Sequence, residues 1–260
     1  MSTPDFAAID ARLQRVQGAS GLVFGAFLAQ HLVTNSVISL MGASDYNHFV
    51  TLARAVYQHP MVEVGILGSI VVHLGASVGR WVCQRKFRAQ QPKATVAAAA
   101  AVKARHAAAS EAGLPPSVLP TFLRTRDGLH RASGYYLATF IAGHVIATRV
   151  PKLPSHMFEF VAFPVWRLQY FFVPYYGLLA ASGAAHLLIG APRAARTATG
   201  GRLQPKPVPV RVVQVLAVAA GIGALVGLRL LPSRETILNL PGPIADRAAV
   251  LDAVATKIGF

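Results

Sequence analysis

The sequence predicts an all-α membrane protein, a transmembrane bundle of five helices, and three observations carry that expectation. The 260-residue chain is 53% hydrophobic and 13% charged, with a mean hydropathy of +0.46, more apolar than a soluble domain of this size requires. Five apolar runs, 19–41, 60–82, 132–150, 163–190 and 209–231, are of the order of the ~20 residues that a helix needs to cross a bilayer core of about 30 Å. Within them the apolar residues are continuous and lack the period-two alternation of a lipid-facing strand, which selects helix over barrel.

Taken in order, the N-terminal stretch MSTPDFAAIDARLQR carries two aspartates before any apolar residue run, so it reads as neither a secretory signal nor a transit peptide, and the first run is expected to be kept. Polar or proline-bearing connections, Gly42 to His59, Pro151 to Phe160 and Pro192 to Pro209, separate most of the runs. Residues 90–122 are Ala-rich with Lys103, Arg105 and His106, then broken by Pro115, Pro116 and Pro120. This insertion reads as a helix followed by a turn on the cytoplasmic side, either a solvated connector or a docking element for a soluble partner. Residues 1–231 form the membrane domain; 232–260 are a tail on the outer side. Cys83, the single cysteine, excludes an internal disulfide.

A net charge of +15 and a pI near 10.9 would suggest a nucleic-acid partner in a polar chain. Here the basic residues fall between apolar runs, which argues against nucleic acid. Seventeen of the 25 Lys and Arg lie on the side of the N-terminus if the five runs alternate, so the N-terminus is inside and the C-terminus outside.

The most informative feature is a repeat at an offset of 113 residues. ASGLVFGAFLAQHL (19–32) aligns with ASGYYLATFIAGHV (132–145), and SIVVHL (69–74) with SGAAHL (182–187). His31 thereby falls on His144 and His73 on His186, one histidine in each of the first four runs, with 42 residues between the members of each pair. Ionisable side chains are costly in a bilayer and usually functional. A single one could be a histidine bonded to a neighbouring helix; four in one-per-helix register fit that reading poorly.

Depth pairs them. His144 lies five residues before Arg149, about 8 Å from the outer end at 1.5 Å per residue, and His31 lies in the outer half of the first run. His73 and His186 each lie seven residues before an arginine, Arg80 and Arg193, about 10 Å from the inner end. Two bis-histidine levels in a four-helix bundle are the arrangement expected for two haems b, whereas zinc would want four ligands at one level. Gly18, Gly21, Gly25, Gly68, Gly75, Gly134, Gly143 and Gly183 lie in or beside these helices. They admit either a flat macrocycle or ordinary close helix packing.

RLQRVQGASGLVFGAFLAQHLVTN (12–35) and GLHRASGYYLATFIAGHVIATRV (128–150) resemble the first and third spans of the single-polypeptide, di-haem cytochrome b anchors of succinate dehydrogenases and fumarate reductases. The resemblance covers roughly 12–85 and 123–195; the lengthened loop at 90–122 and the tail depart from it. It implies a proximal haem ligated by His73 and His186, a distal haem ligated by His31 and His144, a flavoprotein and an iron–sulfur subunit as partners, and membrane quinone (ubiquinone or menaquinone) as electron donor or acceptor. Dicarboxylate chemistry would then sit on the partner.

A quinone needs hydrogen-bond donors near the span ends. Asn35, His59 and Glu63 are the candidates near the distal haem, and Glu63 resembles an acidic residue found near this place in relatives. As a helix N-terminal charge it also suits the macrodipole. Arg15, His130 and Arg131 are candidates for haem propionates or an inner quinone, with positive-inside anchoring the plainer reading. The lack of a transit signal favours a bacterial cytoplasmic membrane over a mitochondrial one. Two rivals stand beside this reading: the haem b anchor of a formate dehydrogenase or hydrogenase, against which the 42-residue spacing argues, and a haemless structural anchor or small transporter.

Overall fold

The computed structural model describes residues 5–90, 120–149 and 167–229, with the isolated residues 100, 101, 104, 165, 253, 256 and 257. Most of the 90–122 insertion, the 151–164 connection and most of the 232–260 tail lie outside the described residues. Helix α1 spans Phe6–Ser36, starting well before the apolar run. The carboxylate of Asp5 explains the early start, accepting from the amides of Ala7 (3.1 Å) and Ala8 (3.0 Å) and so satisfying two otherwise orphaned donors. A 3-10 turn at Ile38–Met41 follows, and Gly42, at φ +109°, breaks the chain direction.

The connection expected between Gly42 and His59 is instead mostly helix, α2, Ala43–Tyr57. Its buried residues Tyr46 and Val50 are four apart and share one face. Helix α3, Pro60–Gln90, begins on a proline, where the missing amide costs nothing. A single turn α4, Thr121–Arg124, leads into α5, Arg126–Arg149. Helix α6 is Gln169–Ala198, ended by Gly200 and Gly201 at positive φ, and α7 is Val210–Arg229.

Close packing joins α1 to α3, α1 to α6, α5 to α6, and α7 to both α6 and α1, whereas α3 and α5 approach each other much less. Residue contacts set the directions. Gly18 of α1 meets Ala194 of α6 and Gly183 of α6 meets Leu28 and Leu32 of α1, so these helices are antiparallel. Helices α5 and α6 are antiparallel too, His130 lying beside His186 and His144 beside Tyr176. Helices α1, α3, α5 and α6 therefore stand at the four corners of a bundle, with α1 diagonal to α5 and α3 diagonal to α6. Ile189 and Val213, both fully buried, lock α7 onto its outside.

Among the described residues there is no strand, and four helical stretches are long and apolar enough to cross a membrane: Phe6–Met41, Pro60–Gln90, Gln169–Ala198 and Val210–Gly227. Helix α5, which carries the third of the five expected spans, is not among them. Its first turns hold Arg126, Asp127, His130 and Arg131, and Tyr135, Tyr136 and Thr139 dilute the apolar run that follows. Large apolar side chains face outward, Val71 70% exposed and Val215 67%. Such a surface is unfavourable in water and is what a lipid-facing helix requires.

Candidate functional site

Each bundle diagonal carries one histidine pair. His31 of α1 faces His144 of α5 with ring centres 6.0 Å apart and planes at 77°. His73 of α3 faces His186 of α6 at 6.2 Å and 82°. All four rings are half-buried. The structure thus sets opposite each other the residues that depth along the sequence pairs.

The inner rings are oriented by the backbone. Nδ1 of His73 donates to the carbonyl of Gln17 (3.0 Å), and Nδ1 of His186 to the carbonyl of His130 (3.2 Å). A carbonyl only accepts, so in each neutral ring the proton sits on Nδ1 and the lone pair on Nε2. Gln17 and His130 are themselves related by the 113-residue offset. So are Gly21 and Gly134: a Cβ on Gly21 would lie 3.1 Å from Cε1 of His73, and one on Gly134 3.0 Å from Cε1 of His186. These two glycines make room for an imidazole, not for a macrocycle face. Gly18, Gly25 and Gly183 serve helix packing, while Gly68, Gly75 and Gly143 open onto space.

The surroundings of the two inner rings differ. Gln17 Nε2 donates to Ser77 Oγ (2.6 Å), and Arg80 Nη1 donates to Gln17 Oε1 (2.7 Å) while its Nε pairs with Asp10 (3.0 Å). In the second repeat the ring of His130 stacks on His186, centres 4.2 Å apart and planes 10° apart. Arg193, at the repeat position of Arg80, pairs with Asp127 (2.6 Å).

Aromatic rings fix the outer pair. Phe27 stacks on His31 at 5.4 Å, and Tyr176 stands edge-on to His144 at 6.3 Å. Asn35 donates to the carbonyl of His31 (2.7 Å) and accepts from Tyr46 (2.8 Å), beside a pocket of about 30 Å³ lined by His31, Asn35 and Tyr46. That volume suits one water molecule. A larger cleft, about 290 Å³, opens beside His144 between α5 and α6 and is lined by Phe140, Phe172, Tyr175 and Tyr176.

The remaining sequence candidates are dispersed. Half-buried Glu63, in the first turn of α3, and exposed His59 line neither of these pockets. Arg15 and Arg131 are exposed on α1 and α5. His130, by contrast, joins the inner pair directly. The sequence reading missed Gln17, whose part is played by its carbonyl; the only signal was its repeat relation to His130. Among the described residues no three His, Cys, Asp or Glu side chains gather as a metal-ion site. No protein-family model, curated protein or solved structure matches this chain.

Proposed function

We propose that the chain is the membrane-anchor cytochrome b subunit of a succinate or fumarate:quinone oxidoreductase, with His73 and His186 as axial ligands of an inner haem b and His31 and His144 as those of an outer one. The observation that carries this is the pair of facing imidazoles on each diagonal. Two imidazoles binding one iron from opposite sides, each nitrogen about 2 Å away, have ring centres about 6 Å apart, and the two pairs stand at 6.0 and 6.2 Å.

The inner rings fit the role in a second way. Their Nδ1–H bonds to backbone carbonyls leave Nε2 as the ligand atom, the arrangement common to metal-bound histidine. Two side-chain ligands per level also suit a group that brings its own in-plane nitrogens. Bound haem would supply one-electron chemistry between an iron–sulfur subunit and membrane quinone. The dicarboxylate reaction would belong to a flavoprotein partner. In this reading α5 is a fifth span: 24 residues reach about 36 Å, and it runs antiparallel beside α6. The N-terminus lies inside a bacterial cytoplasmic membrane and the C-terminus outside.

The test is a reduced-minus-oxidised spectrum with pyridine haemochrome quantification on the purified protein. Two haems b per chain, falling towards one in His73→Ala, supports the reading; none in the wild type leaves a haemless anchor. Reduction of the haem band in membranes by succinate, and not by formate or hydrogen, supports the dicarboxylate complex over the rival oxidoreductases.

A further inference from the structure

The two halves of the bundle repeat at 113 residues, yet they do not orient their inner imidazoles by the same means. In both, the Nδ1–H of the inner histidine meets a main-chain carbonyl at the same repeat position, Gln17 for His73 and His130 for His186. In the first half the side chain at that position points into a polar chain, Ser77 to Gln17 to Arg80 to Asp10. In the second half it folds onto the histidine, its ring 4.2 Å from that of His186 and nearly parallel.

His130 Nε2 is buried without a hydrogen-bond partner, and a Cβ on residue 190 would come 3.1 Å from it. Only glycine at 190 leaves the space that the stacked ring fills. A buried polar nitrogen without a partner costs about 1–3 kcal/mol. A plain packing role would be served without that cost by a leucine or phenylalanine. Stacking adds a directional constraint that Nδ1 bonding lacks, because a hydrogen bond permits the ring to swing about it while a parallel neighbour fixes the plane.

We infer that His130 is a positioning residue that sets the plane of the His186 imidazole, and with it the near-perpendicular 82° angle between the inner ligand rings, while Gln17 leaves the plane of His73 to its hydrogen bond. The inference rests on the di-haem reading for its consequence. The mutual angle of two axial imidazoles governs the anisotropy of a low-spin ferric haem, so the angle has a spectroscopic signature that fold and ligation by themselves do not.

The experiment is electron paramagnetic resonance on the oxidised, purified protein, wild type, His130→Phe, His130→Leu and Gln17→Leu, each with haem content and thermal unfolding measured. Two low-spin signals are expected in the wild type. His130→Leu should shift or broaden one of them, the other staying in place, with two haems still bound. His130→Phe, which keeps the parallel ring, should restore the wild-type signal, and Gln17→Leu, which keeps the carbonyl, should leave both signals unmoved. Unchanged signals in His130→Leu overturn the inference while leaving the haem assignment intact, and so does a shift that His130→Phe fails to rescue. Absence of haem from the wild type overturns the parent reading and the inference with it. If His130→Leu does not fold, the failure of His130→Phe to match the wild-type signal overturns the inference and a matching signal supports it.

Discussion

His73 and Gln17 are joined by a 3.0 Å hydrogen bond from a ring nitrogen to a main-chain carbonyl 56 residues earlier in the chain. The bond does more than close α3 onto α1. It assigns the proton to Nδ1 and turns the unprotonated nitrogen toward the diagonal, where His186 waits at 6.2 Å with the same arrangement. Because the acceptor is backbone, residue 17 can vary in side chain without changing this assignment.

The diagonal pairing makes a prediction about which histidines act together. His31→Ala and His144→Ala should each lose the outer haem and retain the inner one, and the double variant should lose no more than either single. His31→Ala combined with His73→Ala should lose both. Pyridine haemochrome counts on the purified variants decide it, since residues acting as a unit are non-additive and independent ones add. Loss of both haems in each single variant would mean that the two levels are not separate.

Glycines that look alike in sequence should behave differently. A Cβ at Gly21 or Gly134 would press on an imidazole at 3.0–3.1 Å, so Gly21→Val and Gly134→Val should destabilise by about 1–3 kcal/mol through overpacking and lower the occupancy of the inner haem. At Gly68 and Gly143 nothing lies within 4 Å of the added atom. Alanine there should be neutral, or stabilising by roughly 0.5–1 kcal/mol from helix propensity. Thermal unfolding in detergent with haem loading compares the four.

The two repeat-related arginines should contribute unequally. Arg193 and Asp127 have side chains 44% and 64% exposed, and an ion pair so open to solvent is worth about 0–1 kcal/mol. Arg80 and Asp10 are 23% and 24% exposed, and Arg80 also donates to Gln17. A hydrogen bond to a charged group contributes about 1.5–3 kcal/mol. Arg80→Met should therefore lower the unfolding temperature more than Arg193→Met, measured at low salt; equal losses would count against the Gln17 network.

How much of this was legible in the sequence depends on the kind of force involved. Apolar runs report burial in lipid directly, so the helices centred on residues 28, 71, 180 and 219 were visible. The repeat placed His31 against His144 and His73 against His186 because register along a helix converts to depth. Helix α2 escaped because its signal is a short pattern around Tyr46 and Val50, weak beside the polar residues between them. The extension of α1 back to Phe6 came from a cap at Asp5 that no hydropathy window sees. Gln17 and Gly21 act through a carbonyl and through the lack of a side chain. Neither property appears in a list of chemically reactive residues.

Helix α5 sets the last prediction. It falls short of the apolar content of the other four helices, yet its two ends lie level with those of α6: His130 beside His186, and His144 beside Tyr176. If α6 crosses the membrane, α5 crosses the same thickness, and its polar groups face the bundle interior and the tyrosine cluster. The location of Leu203, 57% exposed after the end of α6, then follows. With five spans and the N-terminus inside, it lies inside; if α5 does not cross, α6 runs the other way and Leu203 lies outside with Met41, which is 60% exposed after the end of α1. In a Cys83→Ser background, a membrane-impermeant thiol reagent should label Met41→Cys in intact bacterial spheroplasts. Leu203→Cys should be labelled only after permeabilisation. Labelling of both positions in intact spheroplasts would remove α5 from the membrane, and with it the outer partner of His31.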